Sequence, residues 1–244
     1  HNMEYVNKLI YSVFKEDAFS VTENEFGYEN ICPNLIFSKF EGQIDTGKMM
    51  LGLLKKAAEE NIYILNNMQV TALSGVSDTP LIELNHSEAF SARNVFIATN
   101  GFAKQFLKED VLPARAQVII TKPIDNLKIK GTFHLDKGYY YFRNIDNRIL
   151  LGGGRNLDFK AEETTKLGLT DIVQDTLENL LTTTILPNTH FEIDGRWSGI
   201  MGVGKQKKPI VKRISPHVFC GVRLGGMGVA IGSSIGNDLA NLVD

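Results

Sequence analysis

Cysteine is scarce: Cys32 and Cys220 are the only two in 244 residues. They lie far apart and form no C-x-x-C arrangement, so neither a zinc site nor a disulfide framework is indicated. Such usage fits a reducing, cytoplasmic setting. An excess of one charge is also missing. The net charge is −2, and no basic stripe is present, which excludes a surface built to neutralise nucleic-acid phosphates and favours small-molecule partners. The longest apolar stretches, such as Val229 to Ile235, fall far short of the ~20 residues of a membrane span, so no transmembrane segment is expected. No signal-peptide layout opens the chain. No internal repeat or low-complexity tract occurs, and no charge block exceeds Lys205 to Lys208. His86, His134, His190 and His217 are scattered, with no H-E-x-x-H or His/Cys spacing, so no metal site is expected. No G-x-S-x-G elbow exists. Cys220 stands in an apolar strand context without a basic neighbour, as a buried structural thiol would.

With 43% hydrophobic and 22% charged residues, the chain has an ordinary globular balance. Tyr5 to Phe14 has apolar residues at helical spacing and reads as a core-facing helix. Leu35 to Phe40 reads as a strand. Asp45 then caps a helix over 46–60, with Met49, Met50, Leu53, Leu54 and Ala57 on one face. Short strands follow at Tyr63, Val70 and Leu81. Val95 to Thr99 is nearly all apolar, like a strand buried on both faces, and breaks at Asn100-Gly101, where a ligand can sit. From Pro113 to Gly154 the pattern is rich in β-hairpins. A helix spans 170–186, and three more strands lead to a glycine-rich turn and a last helix over 227–243. The fold class is α/β (α+β) with a large antiparallel portion.

Three segments carry candidate chemistry. In LGGMGVAIGSSIGNDLA, from Leu224, the glycines permit a tight turn that opens a helix, whose unpaired N–H groups and positive dipole end favour an electron-rich ligand atom. Gly228, Gly232 and Gly236 make one helix face smooth, for close packing on a sheet or for a flat cofactor. GIMGVGK, Gly199 to Lys205, satisfies part of a phosphate-binding loop, but Gln206 stands where a Ser or Thr should meet magnesium and Pro209 follows closely. On a strand, Tyr139, Tyr141 and Arg143 share one face, and Tyr140 and Phe142 the other. Sheet packing explains tyrosines; a guanidinium among them also makes a carboxylate clamp.

The order of GQIDTGKMMLGLLKKAAEENIYI, NVFIATNGF, LPARAQV, YYYFRNIDNRILLGGGR, RWSGIMG and VRLGGMGVAIGSSIG resembles the D-amino-acid oxidase superfamily of FAD-dependent amine and amino-acid oxidoreductases. It is most similar to the γ-glutamylputrescine-oxidase-like branch, with glycine-oxidase-like enzymes nearby. The resemblance implies a mixed-sheet substrate domain and part of a Rossmann-like FAD-binding domain. It implies that Val70 passes the adenine end of non-covalent FAD, that Ala98, Thr99 and Gly101 line the dinucleotide cleft, and that Gly225, Gly226, Met227, Gly228 and Val229 meet the flavin. Tyr139, Tyr141 and Arg143 become substrate-side residues, with Arg196 and Trp197 as pocket walls. The implied reaction is oxidation of an amine or amino acid by hydride transfer to flavin N5.

The chain departs from that pattern. No G-x-G-x-x-G turn precedes Glu41, and the opening His1-Asn2-Met3 is no ordinary start. A C-terminal fragment of a longer protein is therefore expected, inactive alone, holding FAD poorly and self-associating through uncovered edges. Met201 stands where glycine-oxidase-like relatives carry a substrate-binding arginine. Three stretches are expected: 1–112 as a partial FAD-binding region with a β-meander, 113–200 as the substrate sheet with its helix, and 201–244 as the return to the FAD region. A non-catalytic binding or assembly module is the alternative reading, and a nucleotide-binding loop at Gly199 to Lys205 is a distant third.

Overall fold

The computed structural model describes residues 2–75, 78–85 and 88–243. The elements, in chain order, are α1 (Asn2–Phe14), β1 (Phe19–Glu23), β2 (Asn34–Ser38), α2 (Thr46–Glu59), β3 (Val70–Ser74), β4 (Leu81–Leu84), β5 (Ala89–Ser91) and β6 (Val95–Ile97). Then follow β7 (Leu112–Thr121), β8 (Thr132–Leu135), β9 (Tyr140–Ile145), β10 (Arg148–Gly153), α3 (Asp171–Leu180), β11 (Ile193–Val203), β12 (Ile210–Ser215), β13 (Val218–Val222) and α4 (Gly228–Ala240). These make two compact units. The first comprises residues 1–45, 117–157 and 169–197, and the second 46–116, 158–168 and 198–244. The sequence reading cut the chain into three consecutive stretches and placed 1–112 together; here 1–45 groups instead with the strands of 117–157.

The first unit holds β8, β9, β10 and the 117–121 and 193–197 parts of β7 and β11, strands of a sheet ordered β11-β7-β10-β9-β8, with β1 and β2 as a separate antiparallel pair. Strand β9 alternates as its pattern predicts: Tyr140 and Phe142 are buried and cluster with Val173 and Leu177 of α3, while Tyr141 and Arg143 turn the other way. Helix α3 continues into a wider π turn at Leu181–Ile185, so the expected 170–186 helix is one α-helix with a π end. The core-facing reading of α1 fails. Tyr5, Leu9 and Val13 are exposed, and the buried residue is Asn7, whose amide accepts from Phe19 N (2.9 Å) and donates to Phe19 O (2.8 Å). This polar side chain ties the helix to the start of β1, while Val6, Ile10 and Phe14 are only half-buried.

The second unit carries two three-stranded sheets, β3-β4-β5 and β12-β13-β6. In the latter, β13 pairs antiparallel with β12 and parallel with β6. Strand β13 is buried throughout, and Gly221 lets Leu239 and Ile235 of α4 press on it. Strand β6 was expected to be buried on both faces. It lies at the sheet edge, with β13 as its one ladder neighbour among the described residues, and has Ile97 buried and Phe96 exposed. Helix α2 buries no residue: Met50, Leu51, Leu53 and Leu54 are exposed. The strand expected at Tyr63 does not form. Ile62 to Leu65 has no ladder partner among the described residues, and Tyr63 is 92% exposed.

Candidate active site at the carboxyl edge of the β13–β6 pair

Parallel pairing fixes the site's position. Because β6 and β13 run the same way, the segments leaving their carboxyl ends emerge at one edge of the sheet, the edge where open α/β folds bind ligands. After β6 come Ala98 and Thr99, both exposed, then Asn100 and a 3-10 turn over Asn100–Gln105 that includes buried Gly101. After β13 come Arg223, Leu224, Gly225 and Gly226, with Met227 at the N-cap of α4. Gly225 has φ +58, and a side chain at Gly225 or Gly226 would meet nothing within 4 Å. The first-turn N–H groups of α4, at Gly228 and Val229, have no partners within the helix, so the helix end presents donors and positive potential at this edge.

The turn is held from behind. Leu224 N donates to Asn100 Oδ1 (3.1 Å), and Gly225 N donates to Gly202 O (2.9 Å). Gly202 must be glycine, since its Cβ would come 2.4 Å from Asn100 Oδ1. Arg223 sits at φ +62, a region that costs a bulky L-residue about 1–2 kcal/mol. Its guanidinium donates to Lys208 O (2.8 Å) and to Asp110 O and Oδ2 (3.0 Å each). Asp110 Oδ2 also accepts from Lys205 N at 2.9 Å.

The glycine stripe of α4 was expected to face a close-packed sheet or a flat cofactor, and no sheet covers it among the described residues. Among the described residues, a side chain at Gly232 or Gly236 would meet nothing within 4 Å, and one at Gly228 would meet only Leu224. Helix α4 packs through Ile235 and Leu239, leaving this smooth face open. The phosphate-loop reading of Gly199 to Lys205 is overturned: Gly199 to Val203 lies within β11, and the next element is strand β12 rather than a helix. Val70 opens β3, half buried, in the unit's other sheet.

In the first unit, Tyr141 packs across Gly152, on the sheet face away from α3. Burial pushes its phenol pKa up, so it stays a neutral donor at neutral pH. Arg143 shares that face and donates to Ile44 O at 2.5 Å. Tyr139 is exposed, just ahead of β9, where it follows the one-turn 3-10 segment Asp136–Gly138. Arg196 goes elsewhere. It donates to Gln174 Oε1 (2.8 Å) and pairs with Glu178 Oε1 (2.5 Å), both on α3, so it lies on the opposite face from Tyr141 and Arg143. Trp197, the next residue on β11, is exposed. Met201 is half buried at the far end of β11, within the second unit. Cys220 is buried in β13, and that burial raises its thiol pKa, whereas Cys32 is exposed. His86 lies outside the described residues.

Sequence reasoning missed Asn100, Asp110 and Arg223. Asn100 stood at the break it noted, and an asparagine before glycine is a signal for a left-handed residue, which Asn100 is, at φ +46.

The family model described as FAD dependent oxidoreductase (DAO) matches residues 21–242. The chain belongs to this family. A curated relative, the probable oxidoreductase OrdL of Haemophilus influenzae, is 24% identical over 225 residues, 85% of this chain and 49% of its own length. The chain thus spans about half of that relative. Among solved structures, glycine oxidase from Geobacillus kaustophilus superposes with a TM-score of 0.77 at 16% identity, covering 98% of this chain and 66% of that one. Iminodiacetate oxidase from Chelativorans sp. BNC1 does so with a TM-score of 0.73 at 16% identity, covering 98% and 67%. L-proline dehydrogenase from P. horikoshii gives 0.74 at 18%, covering 98% and 69%. These similarities show the fold.

The residues present fit the flavin end of FAD. The turn over Gly225 and Gly226 leaves room at a helix N-terminus, and Gly232 and Gly236 offer a flat open face beside it. Among the described residues no helix is long and apolar enough to cross a membrane.

Proposed function

We propose that this chain supplies the substrate-binding sheet and the flavin-facing edge of an FAD-dependent enzyme that oxidises an amine or an amino acid. The observation that carries the proposal is the meeting of the two carboxyl ends of β6 and β13 at an open glycine turn that starts α4. Relatives named for glycine, iminodiacetate and L-proline support an amine or amino-acid substrate. FAD, when bound, supplies the acceptor at N5 for a hydride from the substrate carbon beside nitrogen, and the resulting imine hydrolyses in water.

The chain's residues bind and orient. The α4 first-turn N–H groups stabilise electron-rich atoms at the turn, and Ala98 and Thr99 wall the neighbouring crevice. Arg143 holds the substrate carboxylate with the donors that Ile44 O leaves free. Tyr141 donates its phenolic proton on the same face, which burial keeps neutral. Trp197 lends an aromatic wall, and Arg196, held by α3, stiffens β11 instead of touching substrate. No side chain is assigned as general base, because an amine that binds neutral needs only positioning.

The test is flavin-dependent oxidation of amino acids and of the matching amines that lack a carboxylate. Arg143→Ala is expected to lower kcat/KM for the amino acids by about 10- to 150-fold, the range of one charge-assisted contact. The matching amines should be little affected. Equal losses for both would overturn the clamp, and a full-length protein containing this chain that neither binds flavin nor oxidises amines would overturn the function.

A further inference from the structure

Two side chains behind the glycine turn do more than fill space. Asn100 and Arg223 both occupy the left-handed region, on the two segments that leave the parallel strand pair. Each is fixed by its side chain. Asn100 Oδ1 accepts from Leu224 N (3.1 Å), which ties the end of β6 to the turn after β13. Arg223 Nη1 donates to Asp110 O and Oδ2, and its Nε donates to Lys208 O. Arg223 is 9% exposed in this pairing. Gly202 completes the arrangement: its carbonyl accepts from Gly225 N, and its missing side chain admits the Asn100 amide.

Left-handed non-glycine residues persist only where their surroundings over-determine them. Here two such residues bracket the exposed turn, and its first two N–H groups, at Leu224 and Gly225, are both engaged from behind. The donors left facing outward are those of the α4 first turn. We infer that Asn100 and the Arg223–Asp110 pair are positioning residues that preset the Leu224–Met227 turn, so that the flavin meets a turn already in its bound shape. The inference rests on the function proposed above. It deepens that reading by naming the residues that set the flavin-facing donors without touching the flavin. Preorganisation of this kind raises affinity by removing an ordering cost at the moment of binding.

The test uses hydrogen exchange and flavin binding together. Asn100→Gly keeps the left-handed backbone free of strain while removing the amide, so it separates the hydrogen bond from the conformation. Exchange at the Leu224 and Gly225 amides is expected to quicken by roughly five- to tenfold, the equilibrium factor of one neutral hydrogen bond. Affinity for riboflavin, read by quenching of its fluorescence, should fall in step. Asn100→Asp keeps the acceptor and should restore slow exchange at Leu224. Asp110→Ala, which removes the carboxylate contact of Arg223, should quicken the same amides. Unchanged exchange at Leu224 and Gly225 in Asn100→Gly would overturn the inference. So would acceleration spread evenly over 198–243, which would make Asn100 a general stabiliser. If the full-length protein containing this chain does not quench riboflavin, the functional reading fails, whereas the exchange pattern still decides the clamp by itself.

Discussion

Glutamate 162 is 1% exposed and forks onto Arg115, whose side chain is 10% exposed. Arg115 Nε donates to Oε2 at 2.7 Å and Nη2 to Oε1 at 3.0 Å, and Arg115 N donates to the Glu162 carbonyl at 2.8 Å. The pair fastens residues 158–168 to β7 within the second unit. Glu162→Gln keeps the shape and removes the charge, leaving a buried guanidinium without its counter-ion. Loss of one partner of such a pair costs about 3–5 kcal/mol. The hydrogen bond to Glu162 raises the pKa of Arg115, so the guanidinium is charged at pH 7. In urea denaturation, at a slope near 2.5 kcal/mol/M, the midpoint should fall by roughly 1 to 2 M. The double variant Arg115→Met, Glu162→Leu should recover most of that loss, because apolar groups of similar size avoid the desolvation of both ions. A fall below about 0.3 M in the single variant would refute the reasoning, as would a double variant less stable than either single one.

Three further outcomes are expected. Gly232→Leu should change the free energy of unfolding in chemical denaturation by no more than is typical of a surface site, about 0.5 kcal/mol, because its face is open, while flavin affinity drops; a large loss of stability would show the face to be packed. Gly202→Ala should cost about 1–3 kcal/mol in chemical denaturation, because its Cβ would meet Asn100 Oδ1 at 2.4 Å; a neutral result would mean that Asn100 can swing aside. Burial raises the phenol pKa values of Tyr28 and Tyr141. The unfolded chain therefore sheds protons near pH 10 that the folded chain keeps, and stability should fall as pH rises beyond about 10. Thermal midpoints from pH 8 to 11 check this, and Tyr28→Phe should flatten the slope.

Alternation in GYYYFRN was legible because a strand's period of two separates Phe142 from Arg143 whatever packs around them. The glycine turn and the last helix were legible for the same local reason. Burial was not. The stripes of α1 and α2 satisfy helical periodicity, yet Leu9, Val13, Leu53 and Leu54 stay exposed, because periodicity specifies a face and not the presence of a partner for it. Ile62 to Leu65 shows the same limit for strands, which need a neighbouring edge to become strands at all. At the site, the ordered motifs located both segments that flank the carboxyl edge. The residues that knit them, Asn100, Asp110, Gly202 and Arg223, are drawn from distant stretches and linked through backbone atoms, which no motif encodes.

The interleaving of the two units bears on how the chain is made. Val95 of β6 cannot find its parallel neighbour until Val218 has been synthesised, and the core that gathers Ile97, Ala103 and Leu107 closes only on Val218, Cys220 and Val222. Pairing over such sequence distances makes folding slow. During translation, the helix over 46–59 and the strands after it emerge long before their closing strand, so β6 must wait as an open edge through the synthesis of most of the first unit. Truncation near the C-terminus should therefore cost the whole second unit rather than its last helix.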